Sequence, residues 1–477
     1  MISLYMNKIE YENDIRALIM AFYHGEKIVV NPKEGGFMSV EVCFHPDELH
    51  VLVRGGGQTG QCKNVCGFED YKETRNILKR TVYRALCEYT GRTLPWGTLT
   101  GIRPTKIAME LLDHGKTPEQ IEEYLKQEYY TSRRKSELCI QVAENERNIL
   151  KDVDYKNTYS LYVGIPFCPT ICLYCSFSSY PIKVWQDRVD DYLEALFKEI
   201  DFAANASCGK APLTFYMGGG TPTSLSAAQL DRLLTKLDKC FGLSNIREMT
   251  VEAGRPDSVA KEKFRVIKEH GIDRISINPQ TMNQKTLDII GRKHTVEQII
   301  DAFYMAREEG ISNINMDLIA GLPGEDFSDF QYTMSEIAKL DPDNLTVHSL
   351  ALKRAAALNR EWDNYSKSLP EDVDAMLDSV FDKAETMGLY PYYMYRQKNI
   401  AGNLENVGYA KKGKAGLYNI LIMEEKQSII ALGAGASSKL VYHDQNRIER
   451  IENVKSVKDY IERIDEMINR KKGNIIF

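Results

Sequence analysis

The feature that most constrains the fold is a change of rhythm at Thr158. From there to about residue 355, short apolar runs alternate with amphipathic helical patterns. The runs are SLYVGI, LTFYM, EMTVEA, RISIN, INMDLIAG and LTVHSL, and DRVDDYLEALFKEIDFAA and AAQLDRLLTKLDKCF lie between them. Strands separated by helices pair in parallel through right-handed crossovers, so this alternation predicts one parallel sheet covered by helices. A closed barrel of this kind needs eight strand–helix units, and only six are present here. The fold class is therefore α/β, a partial (β/α)6 barrel with an open side. Functional residues belong at the C-terminal strand ends.

The flanks read differently. Residues 1–157 form a small α+β region followed by a helical one. VEVCFH (Val40 to His45) and LHVLVR (Leu49 to Arg54) alternate as strands, with GGGQTG as the turn after them. A helix is expected over Tyr71 to Thr90, another in KIAMELLDHG, and a capped one at Thr117, with Gln120 three residues on. The domain boundaries expected are 1–157, 158–355 and 356–477. The last segment carries a helix near Pro370 to Gly388, tyrosine-rich strands and a helix over Val454 to Lys472, and is expected to cover the open side of the barrel.

Composition removes several classes. The chain has 477 residues and a net charge of −6, which leaves no electrostatic footprint for nucleic acid or an anionic membrane. The start, MISLYMNKIEYEND, has acids early and no basic segment leading into an apolar run, so no signal peptide is expected. No run of about 18 apolar residues predicts membrane insertion. Ten cysteines are few for this length; the expectation is a cytoplasmic chain with reduced thiols, in which clustered cysteines point to metal.

The cluster that stands out is GIPFCPTICLYCSF, with Cys168, Cys172 and Cys175 spaced C-x3-C-x2-C just after the first strand of the repeat. Three thiolates on one loop can hold three irons of a [4Fe–4S] cluster and leave the fourth open, whereas electron-transfer clusters have four cysteines. The alternatives are three buried structural thiols, or zinc with a remote fourth ligand.

This loop resembles the signature of the radical S-adenosylmethionine (SAM) superfamily. There the open iron binds the amino and carboxylate groups of SAM, and an electron through the cluster releases a 5′-deoxyadenosyl radical that abstracts hydrogen. YMGGGTPTSL (Tyr216 to Leu225) resembles the SAM-contacting GGGTPT of the oxygen-independent coproporphyrinogen III oxidase group, in which two SAM molecules share one site. The resemblance assigns Tyr162, Gly219 and Glu252 to the cluster-bound SAM. It assigns Gly220, Thr221, Gln280, Arg292, Asp317 and Ala351 to the second. Taken singly, these polar residues could equally be caps or surface groups. Asp317 would accept from ribose hydroxyls, and Arg292 would pair with the methionine carboxylate. Asp317 and Gln280 are expected to serve SAM binding and not to hold the fold together.

WGTLTGIRPTKI (Trp96 to Ile107) and YYMYRQKNIAGNLENVGYA (Tyr392 to Ala410) are similar to HemZ-type coproporphyrinogen dehydrogenases. The resemblance implies oxidative decarboxylation of two propionates of coproporphyrinogen III to vinyl groups, giving protoporphyrinogen IX in haem biosynthesis, with a tetrapyrrole substrate and an unidentified electron donor. Two departures matter. Phe177 stands where the established oxidases have a fourth cysteine, and Gly164 where many have histidine. A related branch of haem-binding trafficking proteins also has Phe or Tyr after the last cysteine, but its His-Asn…Tyr-Trp segment is replaced here by NLENVGYA. A radical SAM enzyme acting on another tetrapyrrole is a further alternative.

Other features complete the reading. Cys62 and Cys66 form a C-x3-C pair read as free thiols; Cys43, Cys87, Cys139, Cys208 and Cys240 sit singly, as small core residues. His348 follows the sixth strand and either faces the site or packs as a polar core residue. YPYYMYRQK (Tyr390 to Lys398) either stacks on a tetrapyrrole or is a half-buried sheet with a solvated basic end. On the first reading Arg396 is the principal anchor for substrate carboxylates, helped by Lys398, Lys411 and Lys412.

Overall fold

The computed structural model describes residues 1–65, 67–101, 103–207, 212–351, 353, 355–365, 368–370, 372–396 and 403–474. Cys66, Cys208 and Lys398 lie outside them. The backbone groups into two compact units where three successive domains were expected: residues 1–144 with 394–406, and residues 145–393 with 407–477.

The first unit holds a five-stranded sheet of β1 (Ile2–Met6), β2 (Ile28–Val30), β3 (Met38–Phe44), β4 (Glu48–Gly55) and β5 (Gln58–Val65), in the order β2-β1-β3-β4-β5. Both expected strands are present in β3 and β4, and alternate residues of β3 are buried, as the period-two pattern requires. The turn of the β4–β5 hairpin is Gly56–Gly57, both at positive φ (52° and 78°), the two-residue turn whose twist suits paired strands. The helix over Tyr71–Thr90 packs on β4 and β5. Thr117 caps the helix Pro118–Tyr129 through the reciprocal bonds of a capping box with Gln120.

In the second unit every predicted run is a strand: β6 (Tyr159–Ile165), β9 (Thr214–Gly219), β10 (Glu248–Glu252), β11 (Arg274–Ser276), β12 (Asn313–Ala320) and β13 (Asn344–Ser349), all parallel. A short parallel pair, β7 (Phe167–Cys168) and β8 (Tyr180–Pro181), brackets the cysteine loop. The later strands are β14 (Tyr390–Arg396), β15 (Glu405–Ala410), β16 (Ser428–Leu432), β17 (Ser437–Tyr442) and β18 (Arg447–Glu452). The sheet order is β14-β15-β13-β12-β11-β10-β9-β6-β16-β17-β18.

The sheet does not close; the partial barrel is extended at both edges. Residues beyond 356 do not form a separate unit, because their backbone groups pair with the barrel strands themselves. β15 lies antiparallel on β13, and β16 lies parallel on β6. The expected last helix is two, Val457–Glu462 and Ile464–Lys471. It is tied to the helix Val189–Ala206 by the buried pair Lys471–Glu199, 2.6 Å apart.

Candidate functional site

Gly219 ends β9 and Glu252 ends β10, whereas Asp317, expected at a strand end, lies inside β12, three residues before its end at Ala320. β6 leads through Pro166 into the cysteine loop, whose backbone is pinned from two sides: Leu173 N–H donates to Ile290 O (3.0 Å) and Cys175 N–H to Cys172 O (3.1 Å). Thr170 Oγ1 donates to Gly291 O at 3.2 Å. Cys172 is buried, and Cys168 and Cys175 are half-buried.

The glycine run after β9 packs against this loop. Gly220 N–H donates to Ile165 O (2.8 Å) and Thr221 N–H to Phe167 O (2.7 Å). A Cβ on Gly220 would lie 2.6 Å from Phe167 O, and Gly219 sits at φ +105°. Glycine is thus required here by the chain's own backbone, in addition to any ligand. Thr221 is turned to the cysteines: its hydroxyl donates to Cys168 Sγ at 3.5 Å.

Below the loop is a column of tyrosines. Tyr162 and Tyr216 stack at 6.3 Å, and Tyr216 and Tyr418 at 4.6 Å. Tyr418 belongs to a helix, Leu417–Met423, whose first N–H groups donate to the Glu248 carboxylate. Tyr216 O–H donates to Glu252 Oε1 at 2.6 Å. Burial raises the Glu252 carboxyl to about 7, the Tyr216 bond opposing and Asp317 adding to the rise. At neutral pH this carboxyl is therefore poised between its two protonation states.

Asp317 is held by a relay: Thr346 Oγ1 donates to Asn315 Oδ1 (2.9 Å), and Asn315 Nδ2 donates to Asp317 Oδ1 (2.7 Å). His348 Nε2 lies 3.9 Å from Asp317 Oδ2, so this histidine faces the site. Burial opposes ionisation of Asp317, but His348, Asn315 and Thr346 outweigh it and hold the carboxyl below its ordinary value. Gln280 is buried at φ +70°; its N–H donates to Asp317 O, and its carbonyl accepts from Ile319 N–H. It therefore ties the segment after β11 to β12 through its backbone, a fold role the sequence reading did not give it. Ala351 follows β13, two residues past its end.

Arg292 is 4% exposed, and its fork is largely spent. It donates to the carbonyls of Asn278, Pro279 (3.0 Å) and Gly254 (2.9 Å), leaving Nε without a partner. The groups that the sequence reading missed are Tyr216, Tyr418, Asn315, Thr346 and above all Arg255. Arg255 is 3% exposed and touches Cys172 Sγ at 3.4 Å. Its signal was available: a charged residue three positions past Glu252, at the same strand end.

The expected cationic anchors are elsewhere. Arg396 is 2% exposed inside the first unit, donating to Leu99 O (2.7 Å) and to Gly101 O (2.9 Å and 2.5 Å) and lying over the Trp96 ring. Its donors are committed to closing a loop, so it is not available to a substrate. Lys411 pairs with Asp341 at 2.8 Å, just before β13 begins, and exposed Lys412 follows it; both are at the opposite end of the sheet from the cysteines. Tyr392 and Tyr393 are buried, with the Tyr393 ring against Gly408, so they are core residues and present no stacking face.

Residues 162–337 match the radical SAM superfamily. The chain is 42% identical, over 94% of its length and 92% of the other, to the oxygen-independent coproporphyrinogen-III oxidase-like protein HemZ of Bacillus subtilis. It is 33% identical to the haem chaperone HemW of the same organism, over 64% of this chain and 76% of that one. Among solved structures, coproporphyrinogen III oxidase from Escherichia coli matches with a TM-score of 0.53 and 25% identity, over 68% of this chain and 73% of that one. The chain belongs to the radical SAM superfamily, within the group of HemZ-like, oxygen-independent coproporphyrinogen-III oxidase-like proteins.

Membership implies a [4Fe–4S] cluster and SAM, and the cysteine loop fits a cluster. Among the described residues, no three His, Cys, Asp or Glu side chains converge as a single metal ion would need. A cluster makes no such demand, since each of its irons takes its own cysteine. Burial pushes the Cys168 thiol up to about 11, partly offset by Thr221, and burial raises Cys175 as well. Such thiols ionise when iron supplies the compensating charge. Among the described residues no helix is long and apolar enough to cross a membrane.

Proposed function

We propose that this protein is a radical SAM oxidoreductase that converts two propionate side chains of coproporphyrinogen III to vinyl groups without oxygen. The observation that carries the proposal is the convergence at one sheet end of the cysteine loop, the glycine run, Glu252 and Asp317, in a chain so similar to HemZ along its length. Cys168, Cys172 and Cys175 would hold the cluster. Tyr162, Gly219 and Glu252 would line the cluster-bound SAM; Gly220, Thr221, Gln280, Arg292, Asp317 and Ala351 would line a second. When bound, cluster and SAM supply a radical able to abstract hydrogen.

The chain's own residues position and protonate. Asp317, kept ionised, accepts hydroxyl hydrogen bonds. Glu252, poised near neutrality, pairs with an amino group when it loses its proton. Lys353, half-buried four residues past β13, is the cation for a propionate, the role that Arg396 cannot fill.

The second reading, a haem-trafficking protein, is favoured by Phe177. It is 75% exposed where the oxidases have a fourth cysteine. Anaerobic incubation of the reconstituted protein with SAM, reductant and coproporphyrinogen III, followed by product analysis, separates the two. Protoporphyrinogen IX is expected; stable haem binding without turnover would favour the trafficking reading.

A further inference from the structure

All five N–H groups of Arg255 have partners. Nε donates to Asp257 Oδ1 at 2.9 Å and Nη2 to Asp257 Oδ2 at 2.8 Å, a bidentate pair. Nη2 also donates to Thr170 Oγ1 at 2.9 Å, and Nη1 to Thr170 O at 3.2 Å. The remaining Nη1 hydrogen goes to Cys172 Sγ at 3.4 Å. His294, buried, lies 3.7 Å from Asp257 Oδ1.

This arrangement does more than fasten a loop. A guanidinium keeps its charge at any ordinary pH. Planar pairing with Asp257 fixes its orientation, so one N–H is aimed at a cysteine sulfur. Hydrogen bonds to the sulfurs, and local net charge, set the reduction potential of iron–sulfur clusters. Adding an electron puts more negative charge on those sulfurs, so a cationic donor stabilises the reduced form more than the oxidised one. Asp257, also fixed, acts with the opposite sign and from farther away.

We infer that Arg255 is a positioning residue that makes the cluster easier to reduce, and that Asp257 both aims it and limits its effect. The inference rests on the reading that Cys168, Cys172 and Cys175 carry the cluster. The step concerned is uptake of one electron by the oxidised cluster, from dithionite in the test, with no bond made or broken in the protein.

The test uses the full chain, reconstituted anaerobically, with iron and sulfide measured first and the reduced cluster then followed by EPR in a poised redox titration. Arg255→Gln should lower the reduced-to-oxidised ratio at the wild-type midpoint about tenfold, which is 59 mV for one electron. Arg255→Lys should recover part of that loss. Asp257→Asn should raise the ratio. A purely structural role would move both neutralising variants the same way, and that result overturns the inference, as does an Arg255→Gln ratio within twofold of wild type. If Arg255→Gln takes up no cluster, Asp257→Asn decides: a raised ratio supports the inference and any other result overturns it. If the wild type itself takes up no cluster, the reading of the cysteines fails, and the inference falls with it.

Discussion

Arg396 and Arg255 are both almost fully buried, at 2% and 3% exposure, yet their regions use charge differently. Around Arg396, in the first unit, every charge is closed on itself. Lys135 and Trp96 both donate to Glu405, at 2.9 Å and 2.6 Å, and the guanidinium is spent on backbone carbonyls. Around Arg255, in the second unit, the donors are satisfied as well, but one ends on the sulfur of Cys172, as the Thr221 hydroxyl ends on that of Cys168. In sequence Arg396 stands among tyrosines and Arg255 three positions past Glu252. What separates them is where the donors end, a three-dimensional fact. A closed network contributes to stability, and breaking it leaves unsatisfied buried groups. One that ends on thiols also acts on whatever those thiols hold.

The sharpest way to break this comparison is at the cysteines. Cys168→Ala, Cys172→Ala or Cys175→Ala should each abolish the site-differentiated cluster, read as iron and sulfide content and visible absorption. Thermal unfolding of the first unit should be unaffected. A triple alanine variant that reconstitutes like wild type would remove the cluster from this loop.

Arg396→Met should do the reverse. It removes the guanidinium's bonds to the Leu99 and Gly101 carbonyls, of which Leu99 keeps Asn403 as a donor, at a cost of roughly 1–3 kcal/mol. Denaturant unfolding should show that loss while cluster content and SAM affinity stay at wild-type levels. A loss of tetrapyrrole affinity without a loss of stability would return Arg396 to the substrate.

Glu252 gives a pH signature. Its carboxyl is raised from an ordinary 4.5 to about 7, chiefly by burial. Between those values the folded chain holds a proton that the unfolded chain has lost. The stabilisation is therefore complete below about 4.5 and fades as the pH rises through about 7, by roughly 3 kcal/mol across the window. Glu252→Gln should flatten that part of the stability profile in SAM-free protein. It should also remove the gain in SAM affinity expected as the pH rises through 7. An unchanged profile would mean that Glu252 is solvated in the same way as in the unfolded chain.

The smallest effect expected is at Gly220. An alanine methyl there meets the Phe167 and Ile165 carbonyls at 2.6 Å and 2.9 Å, and overpacking of this kind costs about 1–3 kcal/mol. Because the clash falls on the strand entering the cysteine loop, Gly220→Ala should lower both melting temperature and cluster occupancy. Weakened SAM binding with an unshifted melting temperature would show that the glycine serves the ligand alone.

The sequence by itself determined the alternation of the second unit. Period-two and helical patterns are local, and six strands with their order followed from them. It also located the cysteine loop and the strand-end position of Glu252, because in a parallel sheet the chain direction fixes which end of every strand is which; Asp317, expected at a strand end, lies inside β12, which pairs on to Ala320. Turn and cap chemistry at Gly56–Gly57 and Thr117 was legible for the same local reason. Only the tertiary structure decided the rest. The segment after 356 joins both sheet edges, a pairing between residues far apart in sequence. Arg396 is locked in the first unit, Lys411 sits at the far end of β13, and Arg255 reaches Cys172. A residue's charge is written in the sequence, but whether that charge is already spent depends on which distant carbonyls, carboxylates and sulfurs folding brings within about 3 Å of it.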